Sequence, residues 1–530
     1  MAWQYGQAQQ RIRELVREAP EVDVRRFEDE YLPLYEMRKA ELAAESKAAA
    51  PPLFDLEKGK AVIVDTVQIY IGITNYDDYR IEEGRETEGS HAKALRFLHL
   101  YYSACDRVIE QTDAQRVDFH GSRMHAVVLN PDGEEGRHET LLKAMSFVRD
   151  FRAVAEQANQ ELADSELDAL FRIGIDIGPC VAINNGNGLE QEPMFLGSAA
   201  NHAAKLAYGD EPGIYLSDRA RAVLGQPQVG PLEPLMKFDE AIFNNVINIR
   251  DEVIASVGTR RVPEVILKEW RGEIMAKSVP DPTDPEFRFH HKEPPLKDIV
   301  FADLMPSNSI RMGLASLFAD LSGYTAYVDN AIAQGGVADA VKALYVVRQE
   351  LQNVVEDDFG GRKVRFIGDC IHGLVAEGSS IETDATKTVS TSLGCAGGLR
   401  SSFDICKSEL NGIDELGLTI GIEFGPTPVT RIGIRGVRSV RLASSIATAT
   451  SEKVQRGCED EQTRLGPEAQ KLLPVALEDL VDSDGTAHAL TYDDVVTGMA
   501  ANDTVPAAPA YHRAHSSEQA EVPRAHFRSK

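Results

Sequence analysis

Two six-residue stretches of this chain, GIDIGP at 174–179 and GIEFGP at 421–426, are nearly the same words. Each follows a short Gly-containing turn between apolar runs at the same distance. From Ser122 in RVDFHGSRMHAVVLN it is 174 − 122 = 52 residues, and from Asp369 in RKVRFIGDCIHGLVA it is 421 − 369 = 52. Equal motifs at equal spacing mark an internal duplication. The chain must therefore fold one kind of mixed helix–strand unit twice.

The two copies run in similar order. In the first, AVIVDTVQIYI (61–71) reads as a buried strand, a helix covers about 90–112, and a hairpin spans 116–130. A helix at 140–162, the strand FRIGIDIGPCVAI (171–183) and a helix at 198–209 ending in Gly complete it. In the second, ASLFADLSGYTAYV (315–328) is a strand running into a helix. A hairpin follows at 362–376, then strands at 418–434 and a helix at 444–454. Residues 1–58 form a polar helical arm, read as a packing or dimerisation helix and closed by the prolines at 51–52. The repeats take 59–229 and 310–499. The stretch 230–309, with prolines at 280–287 and 292–298, is a connector with a helical portion near 232–256, and 500–530 is a tail expected to be disordered.

With 56 basic against 83 acidic side chains, the formal charge is −27. Such a chain is a poor partner for a phosphate backbone or an anionic membrane surface, so neither nucleic acid nor membrane is expected as partner. No apolar run reaches 18 residues and the N-terminus lacks the apolar stretch of a secretory signal, so a cytoplasmic protein is expected. The six cysteines are scattered without a CxxC pair, which fits a reducing compartment and no zinc ribbon.

Two acidic residues carry the chemistry. Asp320 follows an apolar strand and precedes the turn Ser322-Gly323-Tyr324-Thr325, whose backbone N–H groups and helix start suit a phosphate. Asp369 sits at a hairpin tip 49 residues later. Carboxylates on adjacent strand ends can share two divalent cations about 3.5–4 Å apart. Asp is equally at home as a helix cap or turn former, so composition alone favours no metal.

The order FADLSGYT, RFIGDCIHGLVA, GIEFGP resembles the class III nucleotide cyclases, strongly over 315–455 and more weakly over 60–210. The resemblance implies an α+β fold of two ferredoxin-like cyclase domains forming an intramolecular head-to-tail pseudo-dimer. It implies two Mg2+ or Mn2+ ions on Asp320 and Asp369, and a nucleoside triphosphate as substrate. It places the transition-state residues at Asn201 and Lys205, the second of which departs from the family's Arg. In the other pairing, Asp65 and Ser122 fall at the metal positions and Ala447 and Ser451 at the transition-state positions, so one working cleft per chain is expected. The base-reading positions fall on Asp118 and Met194 for the working cleft and on Arg365 for the other. Neither purine pattern is present, and the chain looks like the bacterial pyrimidine cyclases of antiphage defence, which make cyclic CMP or cyclic UMP for a downstream effector. An adenylate or guanylate cyclase, and a catalytically dead nucleotide sensor, are the competing expectations; a palm-type polymerase is disfavoured by the hairpin wording. Arg431 and Arg435 are candidates for the triphosphate, and self-association is open.

Overall fold

The computed structural model describes residues 3–162, 168–184, 192–255, 262–275, 288–433 and 439–502. The expected tail from 503, the prolines of 280–287 and Arg435 lie outside the described residues.

The first half builds a sheet from β1 (Asp23–Arg26), β2 (Lys60–Ile73), β3 (Gln115–His120), β4 (Arg123–Asn130), β5 (Phe171–Asn184), β6 (Pro193–Leu196) and β7 (Gly213–Leu216). Its order is β3-β4-β2-β5-β6, with β1 parallel to β2 and β7 parallel to β5. The second half uses β8 (Arg288–His290), β9 (Asn308–Ser322), β10 (Arg362–Ile367), β11 (Cys370–Val375), β12 (Gly417–Ile432), β13 (Val440–Ala443), β14 (Gln462–Leu465) and β15 (Thr486–His488). Here β10-β11-β9-β12-β14-β15 is the order; β8 is parallel to β9 and β13 pairs with β12. The duplication read from the motifs is present in seven strands of each sheet, and β15 is an addition to the second. It extends to details: His125 stacks on Tyr70 (centroids 4.1 Å) and shares a hydrogen bond with Gln68, while His372 stacks on Phe318 (4.3 Å) and meets Ser316. Burial pushes both imidazoles down, His125 to about 3, so both stay neutral core groups.

Register corrects one assignment. Tyr70 lies opposite Gly174, and Phe318 opposite Gly421. Two residues further along, the counterpart of Asp320 is Gly72, not Asp65. Asp65 sits at the other end of β2, bound by Arg137 (2.8 Å) and Asn130 (2.8 Å), and serves as a structural ion pair. With Ser122 at the hairpin tip, the first half has no metal carboxylate at either position.

The glycine that opens each motif has a steric reason. A Cβ on Gly174 would come within 2.2 Å of the Ala203 carbonyl, and one on Gly421 within 2.1 Å of the Ser451 carbonyl. Each glycine lets a helix, Ser198–Leu206 or Ile446–Arg456, lie directly on its sheet. Helices Glu88–Glu110 and Gly133–Leu162 cover the first core, and the connector adds Glu240–Ala255 and Val262–Met275 against them. Trp270 is fully buried there and donates to the Leu100 carbonyl (3.1 Å). The cores also exchange residues: Val181, Ile183, Met194 and Leu196 enter the second, and Ile432, Val440 and Leu442 enter the first. The six cysteines are all free thiols, and no helix among the described residues is long and apolar enough to cross a membrane.

The arm divides itself. Its helix Tyr5–Glu18 docks on the second half, where Trp3 donates to Ser402 (2.8 Å) and Arg11 grips buried Glu350 (2.7 Å) and Asp358 (2.9 Å). Its strand β1 extends the first half's sheet instead. Arg11→Ala strands Glu350 without its cation. An expected loss of about 3–5 kcal/mol, the usual result of breaking a buried pair from one side, is read from the denaturant midpoint.

Candidate active site

Asp320 arrives at the end of β9. Ile367 pairs with Cys370, so Gly368 and Asp369 alone make the tip of the β10–β11 hairpin, with Gly368 at φ +62°. On β11, Ile371 lies opposite Ala319, which sets the tip beside Asp320. Burial raises the Asp320 carboxyl to about 6, opposed by Arg456, Gln455 and Lys205. Asp369 is raised further, by burial and then by the charge of Asp320 itself. Two desolvated carboxylates that repel one another are an oxygen-donor set lacking positive charge, the donor chemistry of Mg2+ or Mn2+. Cation binding needs both deprotonated, so protons compete as pH falls through about 6. The Mn2+ concentration for half-maximal binding is therefore expected to rise by about tenfold or more between about pH 7.5 and about pH 5.5, a shift that a Mn2+ titration by calorimetry at the two pH values measures.

The first half reaches this place with one helix, Ser198–Leu206. Asn201 donates to the Thr325 hydroxyl, and the Ser198 N–H donates to Asp329 (3.0 Å), both in the second half. Lys205 follows on the same helix face, four residues on, and its charge acts on Asp320. Behind them His202 bridges Asp176 (3.2 Å) and Glu233 (2.7 Å), and Arg219 also holds Asp176, the acidic residue of GIDIGP. The fold thus brings Asn201, Lys205, Asp320 and Asp369 to one place, two from each half.

The turn after β9 has Gly323 at φ +80°, a left-handed conformation that opens the helix Tyr324–Gln334. Thr325 is engaged by Asn201. Ser322 keeps a buried hydroxyl with no hydrogen bond. The ring of Tyr324 is buried in the second core, and its hydroxyl, like that of Ser322, makes no hydrogen bond.

The opposite pairing is filled with protein. The first half's hairpin places Arg123 (2.6 Å) and His120 (3.5 Å) on Glu452, which also binds Arg456 of its own helix. Register corrects the transition-state positions here as well: Ala447 and Ser451 are buried and match Ala199 and Ala203, whereas the counterparts of Asn201 and Lys205 are Ala449 and Lys453.

The base-reading positions are arranged differently from the expectation. Arg365 reaches across the junction of the halves: its Nη1 donates to both Asp118 oxygens (2.6 Å each), and its Nη2 donates to the Arg441 carbonyl. Met194 is buried against Arg348. Glu192, two residues before Met194, sits among Lys363 (3.4 Å), Arg348 (3.8 Å) and Arg441. Sequence reasoning misses Arg348, Glu192 and Lys363, because only non-local pairing assembles them; the one local signal is the density of cations in RKVRF. Arg431 lies opposite Arg441 on β12–β13.

No family model matches the chain. A uridylate cyclase from a Rhizobium species is 42% identical over 486 residues, which cover 91% of this chain and 92% of that one. A uridylate cyclase from Pseudomonas aeruginosa is 35% identical over 466 residues, 86% of this chain and 87% of its own. Among solved structures, a class III adenylyl cyclase-like ATP-binding protein from Pseudomonas aeruginosa matches with TM-score 0.82 and 31% identity, covering 94% of this chain and 100% of that one.

Proposed function

This chain belongs to the class III nucleotide cyclase family that includes those uridylate cyclases, and from that premise we propose that it converts UTP to 3′,5′-cyclic UMP and pyrophosphate. The two halves act as a head-to-tail pseudo-dimer of ferredoxin-like domains with one working cleft. Carboxylates 320 and 369 from one half meeting Asn201 and Lys205 from the other is the observation that carries the reading.

Asp320 and Asp369 would hold the divalent cations. When bound, such ions acidify the ribose 3′-hydroxyl and neutralise the departing pyrophosphate. The chain does the rest. The N–H groups of 322–325 seat phosphate oxygens. Lys205 sets a positive charge where the α-phosphate gains negative charge during in-line attack. Asn201, steadied by Thr325, orients the ribose. Lysine lacks the planar fork of arginine, so one point charge replaces a bidentate contact. The product would be read by an effector that binds a cyclic pyrimidine nucleotide.

The test is incubation of purified protein with Mn2+ and each of ATP, GTP, CTP and UTP, with products identified by mass. Cyclic UMP from UTP is the expected result. A cyclic purine as main product would restore the adenylate or guanylate cyclase reading, and no product from any of the four would leave a nucleotide-binding protein without turnover.

A further inference from the structure

At the junction of the halves lie four buried cations, Arg348, Lys363, Arg365 and Arg441, with the buried carboxylate of Glu192 among them and the partly exposed Asp118 on Arg365. Arg348 is the telling member. It is 0% exposed and stacked 3.8 Å from the Phe366 ring centroid; its Nη2 faces a Glu192 oxygen at 3.8 Å, too long for a hydrogen bond, and its Nε makes none. Unmatched N–H groups on a buried guanidinium are costly. Arg348 touches Met194 and feels the charge of Asp369, so it stands between the base-reading position and the metal carboxylates, where a substrate's base would lie.

The hydrogen-bonding types say which base completes it. N–H groups of arginine can only donate, and ionised Asp118 can only accept. Asp118 Oδ1 is taken by the Phe119 N–H and Arg365, whereas Oδ2 receives Arg365 alone. A pocket with one acceptor set among donors complements an edge of carbonyl, N–H, carbonyl. That is uracil. Cytosine presents an exocyclic amino group, which would point N–H groups at a guanidinium.

Resting on the cyclase reading above, we infer that Asp118, Arg365 and Arg348 together form the base-reading pocket and select uracil against cytosine, Asp118 accepting from the ring N–H and the arginines donating to its carbonyl oxygens. Arg365 is thus a residue of the working cleft, contributed by the same half that carries the metal carboxylates. Glu192 and Lys363 position the arginines without touching the base.

The experiment compares UTP with CTP as separate substrates, with Mn2+, for the full-length wild type, Arg348→Gln and Asp118→Asn. Wild type is expected to favour UTP in kcat/KM. Arg348→Gln should lower kcat/KM for UTP by about 10²-fold, mainly through KM, while CTP is unchanged or improved. Equal losses on both substrates, leaving the ratio unaltered, would overturn the pocket. If Arg348→Gln fails to fold, Asp118→Asn decides alone: its side chain is 36% exposed, and an amide can turn a donor toward cytosine N3, so the ratio must fall. A wild type that makes no cyclic nucleotide sinks the cyclase reading instead. In that case equilibrium binding of UTP and CTP decides the pocket, supported by a UTP preference that Asp118→Asn erases and overturned by equal binding.

Discussion

Asp369→Asn is expected to abolish cyclic nucleotide formation, a fall beyond the roughly 10²–10³-fold typical of one lost electrostatic stabiliser, and at the same time to raise the thermal midpoint of the metal-free protein. Both effects follow from one geometry. The hairpin tip holds Asp369 beside Asp320, and burial with mutual repulsion raises both carboxyls. A carboxyl whose folded pKa lies above its unfolded value binds its proton more tightly when folded. Its contribution is complete below the unfolded pKa and is lost as pH rises through the folded value. At about pH 7.5 the ionised pair therefore opposes folding until cations arrive, and an amide removes one of the two charges. The expected gain is read as a higher midpoint of the metal-free protein. It should shrink as pH falls and vanish below about pH 4, the range of an unfolded Asp, and when Mn2+ saturates the wild type. Differential scanning calorimetry at both pH values, with and without Mn2+, measures it. Asp65→Asn is the control: it loosens the Arg137 pair, lowers the midpoint, and leaves the dependence of rate on Mn2+ unaltered. A variant at 369 that keeps turnover would remove the metal assignment.

Lys205→Ala should lower kcat by about 10²–10³-fold with little change in KM. Its charge is exposed at the cleft and acts on Asp320, and no salt bridge among the described residues ties it down as a structural group. A group that matters only while charge builds on phosphorus affects turnover more than substrate binding. Lys205→Arg should recover most of the rate because the charge is retained and a fork is added. A steady-state comparison of kcat and KM for the three proteins tests this. If Ala and Arg behave alike, Lys205 is a solvated helix residue. Ser451 matches Ala203 rather than Lys205, since each of the two sits over its motif glycine; it is buried against Ser316, and its replacement should affect folding but not the metal dependence of the rate.

The duplication, the two acidic positions 320 and 369 and the Asn201–Lys205 helix are legible in the sequence because each rests on a short local pattern repeated at fixed spacing. Asp65 misleads for a physical reason. AVIVD imitates an apolar strand ending in an acid, but where β2 ends is set by its neighbours β4 and β5, and their register puts Gly72 at the critical position. Arg365 reads as a residue of the opposite cleft if repeat position alone fixes which side a residue serves. Near the junction of the halves a long side chain can cross, and here it reaches Asp118, 247 residues away in sequence. Arg348 stands mid-helix with nothing in its local sequence to distinguish it from a core-facing neighbour. The amphipathic pattern of the arm announces that it packs, but cannot say against which half.

That arm has a kinetic corollary. A cleft shared between two separate molecules obeys mass action and empties on dilution. Here both walls of the cleft are one covalent strand, and the leading segment clasps one wall by its helix and the other by β1. Turnover per molecule should therefore stay constant from micromolar to subnanomolar protein, so that a handful of copies in a cell works as efficiently as thousands and cannot be silenced by keeping its numbers low.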